Sequence, residues 1–348
     1  MKAMILTAGL GTRFRPHTDK LAKPALPFLN IPLMGYSLFH LESLGIKDLV
    51  LNLHHLPQTI RAVAAQCTTQ GSLSSNSNPP YKIHFSDETS MILGSGGGLR
   101  HAEKLLRGSG NFVVSNGDEV LFFKKPEVFK QFFDAHLASG ALATLLTTDN
   151  EAVGVSLNGL RVNASSDITE FSIREKGLAH FTGVFAFSDK VFDFMPKSGD
   201  FHIFKDVLAA AVKRGEKVKA HHIPDMLWLE TGDEKQYLTS TGEALRHWNE
   251  GSPYAAQMKA VFERYKQQPV RSADGLWLGP GAQFDGALTS NTVVLIGANT
   301  VVRSGVEIKD FGVVGFDSII DNGVIERSVV APTLHLHEMV TLRNQLVL

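Results

Sequence analysis

The pattern of apolar and polar positions divides the chain into two parts. Through the first two-thirds, short apolar runs alternate with amphipathic stretches of helical spacing. The predicted strands are "AMILTA", "DLVLNL", "YKIHFS", "NFVVSNGD" and "ALATLLTT", and the predicted helices are "MGYSLFHLESLG", "PQTIRAVAAQC", "GGLRHAEKLL" and "PEVFKQFFDAHLASG". This alternation indicates an α/β fold with a mostly parallel sheet covered on both faces. Because ligands bind beyond the carboxyl ends of such strands, the loops after "MILTA" and "FVVS" are of most interest.

The C-terminal part has a different period. Apolar residues recur every six positions there, with an interruption at Ser290: Leu278, Phe284, Ile296, Val302, Ile308, Val314 and Ile320. Six is not a helical period, and glycines follow this series directly at three places, as in a parallel β-helix. We therefore predict an α/β domain over residues 1–245, a helical linker over 246–270 and a hexapeptide-repeat β-helix domain over 271–348.

Composition and charge narrow the class of protein. The chain of 348 residues carries 34 basic and 35 acidic side chains, so nothing global indicates nucleic acid or an anionic membrane as a partner. Its single cysteine, Cys67, favours a reducing compartment. The N-terminus lacks the features of a signal peptide, and no run of about 18 apolar residues predicts a membrane span. We expect a cytoplasmic protein.

The loop after the first strand, "AGLGTRFRPHTDKLAKP", is suited to a polyphosphate. Gly9 and Gly11 let backbone N–H groups turn toward a phosphate. Arg13 and Arg15 add guanidinium groups, and Lys23 adds an ammonium group on backbone that Pro24 biases toward an extended form. Two familiar phosphate loops do not fit, because Phe14 stands where a Rossmann fingerprint needs a small residue and a Walker lysine is absent.

The same loop resembles the signature of sugar-1-phosphate nucleotidyltransferases, the sugar-nucleotide pyrophosphorylases. That signature reads AGxGTRxxPxT followed by PKP, and this chain departs from it at Ala22. The resemblance covers roughly residues 1–245, and several branches of the family also carry a left-handed β-helix tail. The segments "GSGGG" and "NLHHLP" look most like the mannose-1-phosphate guanylyltransferase and N-acetylmuramate-1-phosphate uridylyltransferase branches.

The resemblance implies a Rossmann-like, mostly parallel mixed sheet and a reaction between a nucleoside triphosphate and a sugar 1-phosphate. An oxygen of the sugar 1-phosphate would attack the α-phosphorus in line, and pyrophosphate would leave. Arg13 and Lys23 would be the catalytic side chains. The implied nucleotide-binding residues are Ala8, Gly9, Gly11, Thr12, Gly94, Ser95 and Gly96.

Two carboxylates are candidates for holding Mg²⁺. Asp118 in "SNGDEV" follows a buried strand, where a carboxylate is placed to hold the metal against a triphosphate. Glu230 in "MLWLETGDEKQYL" matches the second metal motif of the family, with glutamate in place of the usual aspartate. Asp233 in that motif has the alternative role of a helix N-cap.

The resemblance assigns the sugar phosphate to a later segment. Glu175 and Lys176 match a Glu-Lys pair of related enzymes, with Gly177 in place of the usual proline, and Gly183 matches a later glycine. A surface charge pair is an equal alternative for Glu175 and Lys176.

Two further hypotheses about function stay open. A phosphocholine cytidylyltransferase of the same fold would need an aromatic or acidic cage, for which Trp228 is available. The alternative of a catalytically silent regulatory subunit that binds nucleotide sugar is kept open by the departures at Ala22, Gly177 and Glu230. In similar enzymes such tails support oligomers, so we also expect a homo-oligomer through the β-helix.

Overall fold

The computed structural model describes residues 1–70 and 81–348. The strands of the N-terminal part are β1 (Lys2–Leu6), β2 (Pro27–Phe28), β3 (Ile31–Pro32), β4 (Asp48–Leu53), β5 (Lys82–Asp87), β6 (Asn111–Asn116), β7 (Val120–Phe122), β8 (Ala143–Thr148), β9 (Gly159–Val162), β10 (Ile168–Ile173), β11 (His180–Ser188), β12 (Val218–His222) and β13 (Leu227–Leu229). The helices are α1 (Leu33–Ser43), α2 (Pro57–Gln70), α3 (Gly94–His101), α4 (Glu103–Leu106), α5 (Val128–Ser139), α6 (Ala209–Lys213), α7 (Glu234–Asn249) and α8 (Ala255–Arg264).

A mixed, mostly parallel sheet organises this part in the order β12-β8-β11-β6-β1-β4-β5. Only β11 runs antiparallel to its neighbours β6 and β8. The predicted α/β fold is therefore confirmed, and each predicted strand and helix is present. The predicted helix "GGLRHAEKLL" is divided at Ala102 into α3 and α4. The Ser-, Asn- and Pro-rich composition of residues 66–80 predicts an exposed loop. Helix α2 instead continues to Gln70, and residues 71–80 lie outside the described residues.

The alternating direction of side chains along each strand explains why the sheet is covered on both faces. In β1, Ala3 and Ile5 belong to one apolar core, whereas Met4 between them belongs to the other, and all three side chains are fully buried. Successive strand residues point to opposite faces, so a strand that is apolar throughout needs a layer on each side. Helices α1, α5 and α8 pack among the residues of the first core.

The C-terminal part forms a second sheet from β14 (Val270–Ala273), β15 (Leu276–Leu278), β16 (Gln283–Phe284), β17 (Ala287–Leu288), β18 (Val293–Ile296), β19 (Val301–Val314), β20 (Ile319–Val330), β21 (His335–Leu336), β22 (Val340–Arg343) and β23 (Leu346–Val347). Leu276 pairs in parallel with Val294, and Val294 pairs in parallel with Gly312, so each partner lies 18 residues further along. All seven residues of the six-residue series lie in one interior apolar cluster. This arrangement is compatible with the predicted β-helix, and its left hand stays a prediction.

The C-terminal sheet packs on the long helix α7. Val293, Leu295 and Phe311 share an apolar core with Leu245 and Trp248 of α7. The stretch predicted as a linker contains the end of α7 and all of α8. Residues of α8 are buried in this same core, and the Tyr265 hydroxyl that follows α8 donates to the carbonyl of Gly35 in α1 at 2.8 Å. Helices α7 and α8 therefore pack against both parts of the chain. The predicted domain boundaries stay predictions.

No helix in the described ranges combines the length and apolar character that crossing a bilayer requires.

Gly242 in α7 provides a test of the packing between the two parts. A Cβ atom at Gly242 would lie 2.8 Å from ring carbons of Phe311, which is 5% exposed. Glycine-to-alanine changes inside helices normally stabilise by about 1 kcal/mol. Here we expect Gly242→Ala to lower the free energy of unfolding by about 1–2 kcal/mol, because the core is overpacked. Chemical denaturation measures this.

The matched control is the same change beside a smaller side chain. In a Phe311→Ala background the space is free, so Gly242→Ala should stabilise by about 0.5–1 kcal/mol. If Gly242→Ala stabilises the parent chain equally, the close contact between α7 and the C-terminal sheet is not as described.

Candidate functional site

Two adjoining cavities open at the carboxyl ends of β1, β4 and β6. We call the first the loop cavity, of about 240 Å³; it is lined by Leu6, Gly9, Gly11, Thr12, Arg13, Lys23, Pro24, Asp118 and Gly232. We call the second the Glu88 cavity, of about 260 Å³; it is lined by Leu6, Ala8, Gly9, Asn52, Glu88, Ile92, Gly94, Ser95, Asn116 and Asp118. Because Leu6, Gly9 and Asp118 line both, the cavities form one continuous cleft.

The loop after β1 is held in a compact form by local contacts. Gly11 adopts a left-handed conformation with φ of 61°, which favours glycine. The Thr18 hydroxyl donates to the Gly11 carbonyl at 2.9 Å, and a Cβ atom at Gly11 would lie 2.8 Å from the Thr18 methyl. The Phe14 ring is fully buried and meets Tyr237 of α7 edge-on at 5.5 Å. These contacts hold the loop in a conformation in which it forms part of the cavity wall.

The two predicted cationic side chains both line the loop cavity. Lys23 is 8% exposed, and its Nζ donates to Oδ2 of Asp118, so the loop after β1 is joined to the end of β6. Arg13 is exposed and lies beside Gly232 in the wall of the same cavity. Arg15 turns away, because its Nε pairs with Asp19 at 3.2 Å. The loop therefore presents two cations to one cavity, as a polyphosphate requires.

The pairing of β7 with β13 brings Asp118 and Glu230 to neighbouring strand ends. Val120 stands opposite Leu229 in this antiparallel pair, and the Thr231 hydroxyl donates to the Asp118 carbonyl at 2.8 Å. Burial raises the pKa of Glu230, against the opposing effect of the nearby Arg13 charge. Across residues 1–70 and 81–348, no group of three or more His, Cys, Asp or Glu side chains is arranged to hold a metal.

Glu119 is a buried acid that the sequence reasoning missed. Its two carboxylate oxygens accept hydrogen bonds from Asn116 Nδ2 and Trp228 Nε1, each at 2.8 Å. Burial, with the neighbouring Asp118 charge, raises the pKa of Glu119 to about 8. A side chain at Gly183 would overlap Glu119, so this predicted sugar-phosphate residue lies directly against it. The signal in the sequence was the pair of acids in "SNGDEV".

Glu88 is a second buried acid that was not singled out. It is 3% exposed, and Oε1 accepts from Asn52 Nδ2 at 3.0 Å. Asn52 is fixed in turn, since its Oδ1 accepts from the Thr7 backbone N–H at 2.7 Å. Burial raises the pKa of Glu88. Its position directly after β5 was the available signal, because the carboxyl ends of parallel strands meet at one edge.

The glycine run at the start of α3 is only partly in the cleft. Gly94 and Ser95 line the Glu88 cavity, and their role in binding a nucleotide stays a prediction. The backbone N–H of Gly96 donates to the Phe201 carbonyl at 2.9 Å, and Gly96 is not among the lining residues. A side chain at Gly94 or Gly96 would overlap Asp200 or Phe201, so this run also needs glycine for packing.

Glu175 and Lys176 are not brought to either cavity. Oε2 of Glu175 pairs with Nη2 of Arg161 at 2.7 Å on the surface. Lys176 lines a separate surface cavity of about 450 Å³ that also includes Asp149. Their assignment to the sugar phosphate stays a prediction.

Comparison with known proteins gives a consistent result. The profile of the nucleotidyl transferase family matches residues 2–247. The UTP--glucose-1-phosphate uridylyltransferase of Synechocystis sp. is 27% identical to this chain over 343 residues, covering 95% of this chain and 82% of that protein. A probable mannose-1-phosphate guanylyltransferase 2 of Arabidopsis thaliana is 26% identical over 321 residues, covering 89% of this chain and 84% of that protein.

A solved structure shares the fold. The crystal structure of HddC from Yersinia pseudotuberculosis complexed with GMP-PN superposes with a TM-score of 0.54 at 20% sequence identity. The match covers 70% of this chain and 99% of HddC.

Arg13 and Arg15 form a matched pair for testing the loop cavity. We expect Arg13→Met to weaken the binding of inorganic tripolyphosphate about tenfold or more, because a charge-assisted hydrogen bond contributes about 1.5–3 kcal/mol. Arg15→Met should change the affinity less than about twofold, since Arg15 pairs with Asp19 outside the cavity. Isothermal titration calorimetry gives both values, and equal losses in the two variants would contradict the assignment.

Proposed function

The chain belongs to the nucleotidyl transferase family, and we propose that it transfers a guanylyl group from GTP to a sugar 1-phosphate. The products would be a GDP-sugar and pyrophosphate. The names of the relatives support a sugar 1-phosphate as acceptor, and those names divide between uridylyl and guanylyl transfer. The choice of base therefore has to come from this chain's own cleft.

The carboxylate of Glu88 is the observation that favours guanine. Oε1 accepts from Asn52, and no described residue donates a hydrogen bond to Oε2, which is not fully enclosed by the chain, although the residue is only 3% exposed and lines the cavity. An ionised carboxylate only accepts hydrogen bonds, and a buried one needs donors. A base with donors on its edge would supply them.

Guanine fits this acceptor better than the other bases. Its ring N1–H and its 2-amino group are adjacent donors, so one carboxylate can accept from both. Uracil has a single N3–H between two carbonyl oxygens, and these would face the carboxylate with like partial charge. Adenine and cytosine place a ring-nitrogen acceptor beside the amino group. Mismatched polar groups in a buried site are costly, which is how such sites discriminate between substrates.

The rest of the cleft is suited to the phosphates. The backbone amides after β1 and the Arg13 guanidinium would hold the β- and γ-phosphates, and Lys23 would lie near the α-phosphate and the incoming phosphate. A sugar 1-phosphate is already a nucleophile, so the chain's part is to position the two substrates and offset their repulsion. Asp118 keeps Lys23 in place through their ion pair.

Asp118 lines both cavities, and Oε1 of Glu230 lies against Gly232 in the wall of the loop cavity, so these two carboxylates would hold a magnesium ion. Mg²⁺ prefers carboxylate oxygens and commonly takes one or two from the protein, with substrate phosphates and water completing its shell. When bound, the ion would neutralise charge on the triphosphate.

The proposal also includes the contacts to the sugar phosphate, the cellular location and the oligomeric state. Glu175, Lys176 and Gly183 remain the proposed contacts to the sugar phosphate, supported by the family motif and by the close approach of Gly183 to Glu119. A cytoplasmic location is supported by the single, buried Cys67. A homo-oligomer through the C-terminal sheet is supported by the exposed apolar side chains of Val270 and Met339, and light scattering would test it.

Pyrophosphate release tests the reaction. With Mg²⁺ and a grid of nucleoside triphosphates, sugar 1-phosphates and phosphocholine, we expect release with GTP and one sugar 1-phosphate. Release with UTP alone would refute the choice of guanine, and release with CTP and phosphocholine would refute the choice of acceptor. No release from folded protein that binds a nucleotide sugar would favour a regulatory subunit.

Glu88 provides the sharper test of base recognition. ITP lacks the 2-amino group, so the parent chain should use GTP with a kcat/KM about 10- to 100-fold above that for ITP, corresponding to one charge-assisted hydrogen bond. Glu88→Gln should lower kcat/KM for GTP by a similar factor and reduce the preference for GTP over ITP. Steady-state kinetics measures both ratios.

Asp87→Asn is the matched control for Glu88→Gln. Asp87 is the neighbouring carboxylate, but it is exposed and accepts from the Thr89 hydroxyl at 2.6 Å rather than lining the cavity. Its variant should retain the parent GTP/ITP ratio. An unchanged ratio in Glu88→Gln would refute the role of Glu88.

A further inference from the structure

A carboxylate at the start of α7 connects the C-terminal sheet to the phosphate loop. Oε1 of Glu234 accepts from the Leu346 backbone N–H of β23 at 2.8 Å. The same oxygen lies 3.2 Å from Nε2 of His17, a residue of the loop between Arg13 and Lys23. One side-chain atom therefore contacts both a strand of the C-terminal sheet and the loop that forms the cavity.

The position of Glu234 is fixed from several sides. It is the first residue of α7, and the Asp233 side chain before it caps the helix by accepting from the Gln236 N–H at 2.9 Å. Gly232, two residues earlier, lines the loop cavity. Leu346 is 3% exposed and lies in the apolar core that includes Leu238 of α7. Helix, strand and cavity wall thus meet at this residue.

The loop has few other supports at this point. His55 contacts the Thr18 carbonyl through Nε2 at 2.5 Å, which supports one side of the short helix His17–Asp19. The His17 ring also meets Phe14 edge-on at 5.8 Å. Phe14 also meets Tyr237 of α7, and Lys20 Nζ donates to the Leu348 carbonyl at 3.5 Å. Contact with Glu234 is the polar support that the His17 side chain receives from α7. Without it, the His17 ring would keep its edge contact with Phe14 but lose its connection to the start of α7.

We propose that Glu234 is a positioning residue through which the C-terminal sheet holds the phosphate loop in its active geometry. The C-terminal sheet then contributes to catalysis without touching a substrate. The kinetic consequence rests on the proposed function of the loop, whereas the mechanical link between β23 and the loop does not. Small displacements of phosphate-binding groups are sufficient to change rates, because effective catalysis depends on sub-ångström placement.

A simpler role for Glu234 is electrostatic. A negative charge in the first turn of a helix stabilises it by about 0.3–1 kcal/mol, whatever else the side chain contacts. Two substitutions separate the roles. Glu234→Asp keeps the charge at the helix start but is one methylene shorter, so it loses the reach to His17 and Leu346. Glu234→Gln keeps the length and an oxygen acceptor but removes the charge.

The experiment compares the two variants in kinetics and in amide hydrogen exchange. We expect Glu234→Asp to raise KM for the nucleoside triphosphate about tenfold, leave KM for the sugar 1-phosphate unchanged and increase exchange in residues 12–24 without substrate. Glu234→Gln should lie nearer to the parent chain in both measurements. Lys235→Ala, an exposed neighbour on the same helix turn, is the control and should match the parent.

Each outcome decides between the roles. If Glu234→Asp matches the parent while Glu234→Gln lowers the melting temperature, the residue acts through helix charge and the proposal is wrong. If exchange in residues 12–24 stays at the parent level in Glu234→Asp, the mechanical link is refuted. If exchange increases but KM is unchanged, the link holds and the assignment of the loop to the triphosphate fails instead.

Discussion

The parallel pairing of β1 with β6 sets the geometry of the whole cleft. Leu6 stands opposite Asn116, so the loop after β1 and the turn carrying Asp118 leave the sheet side by side. That proximity allows the buried Lys23 to reach Asp118 across the gap. A buried lysine needs a charged partner, and the ion pair therefore fixes the loop as well as the charge in the cavity. The remaining site residues are arranged around this contact.

The fold was largely predictable because its signals are local. The continuous apolar run of β1 and the six-residue series from Ile296 to Ile320 each indicate which side chains are buried. Such local patterns can be recognised without knowledge of the rest of the chain. The loop after β1 could be singled out for a similar reason, since its glycines and cations are close in sequence, and the structure places Gly9, Gly11, Arg13 and Lys23 around one cavity. The division of α3 from α4 was not, because it depends on where the chain packs.

Residues outside the loop were harder to find because their roles depend on distant partners. The role of Glu88 depends on its hydrogen bond with Asn52 of β4, and the role of Glu119 depends on its hydrogen bond with Trp228 of β13. In the sequence each is the second acid of an Asp-Glu pair near the end of a strand. The Glu175–Lys176 pair shows the converse case, in which a motif singled out side chains that the fold places at the surface outside the two cavities, so their assignment stays a prediction. Strand pairing decides these cases, and spacing along the chain does not report it.

The attachment of the C-terminal sheet follows from the same dependence on distant contacts. A sheet that packed on α7 through Phe311 and Gly242 alone would be a rigid appendage. The hydrogen bond from Leu346 to Glu234 adds a polar contact beside the loop that follows β1. Apolar packing tolerates small shifts, whereas a hydrogen bond fixes distance and direction. In the proposed link, apolar packing holds α7 in place, and the Glu234 carboxylate relates that position to both Leu346 and His17.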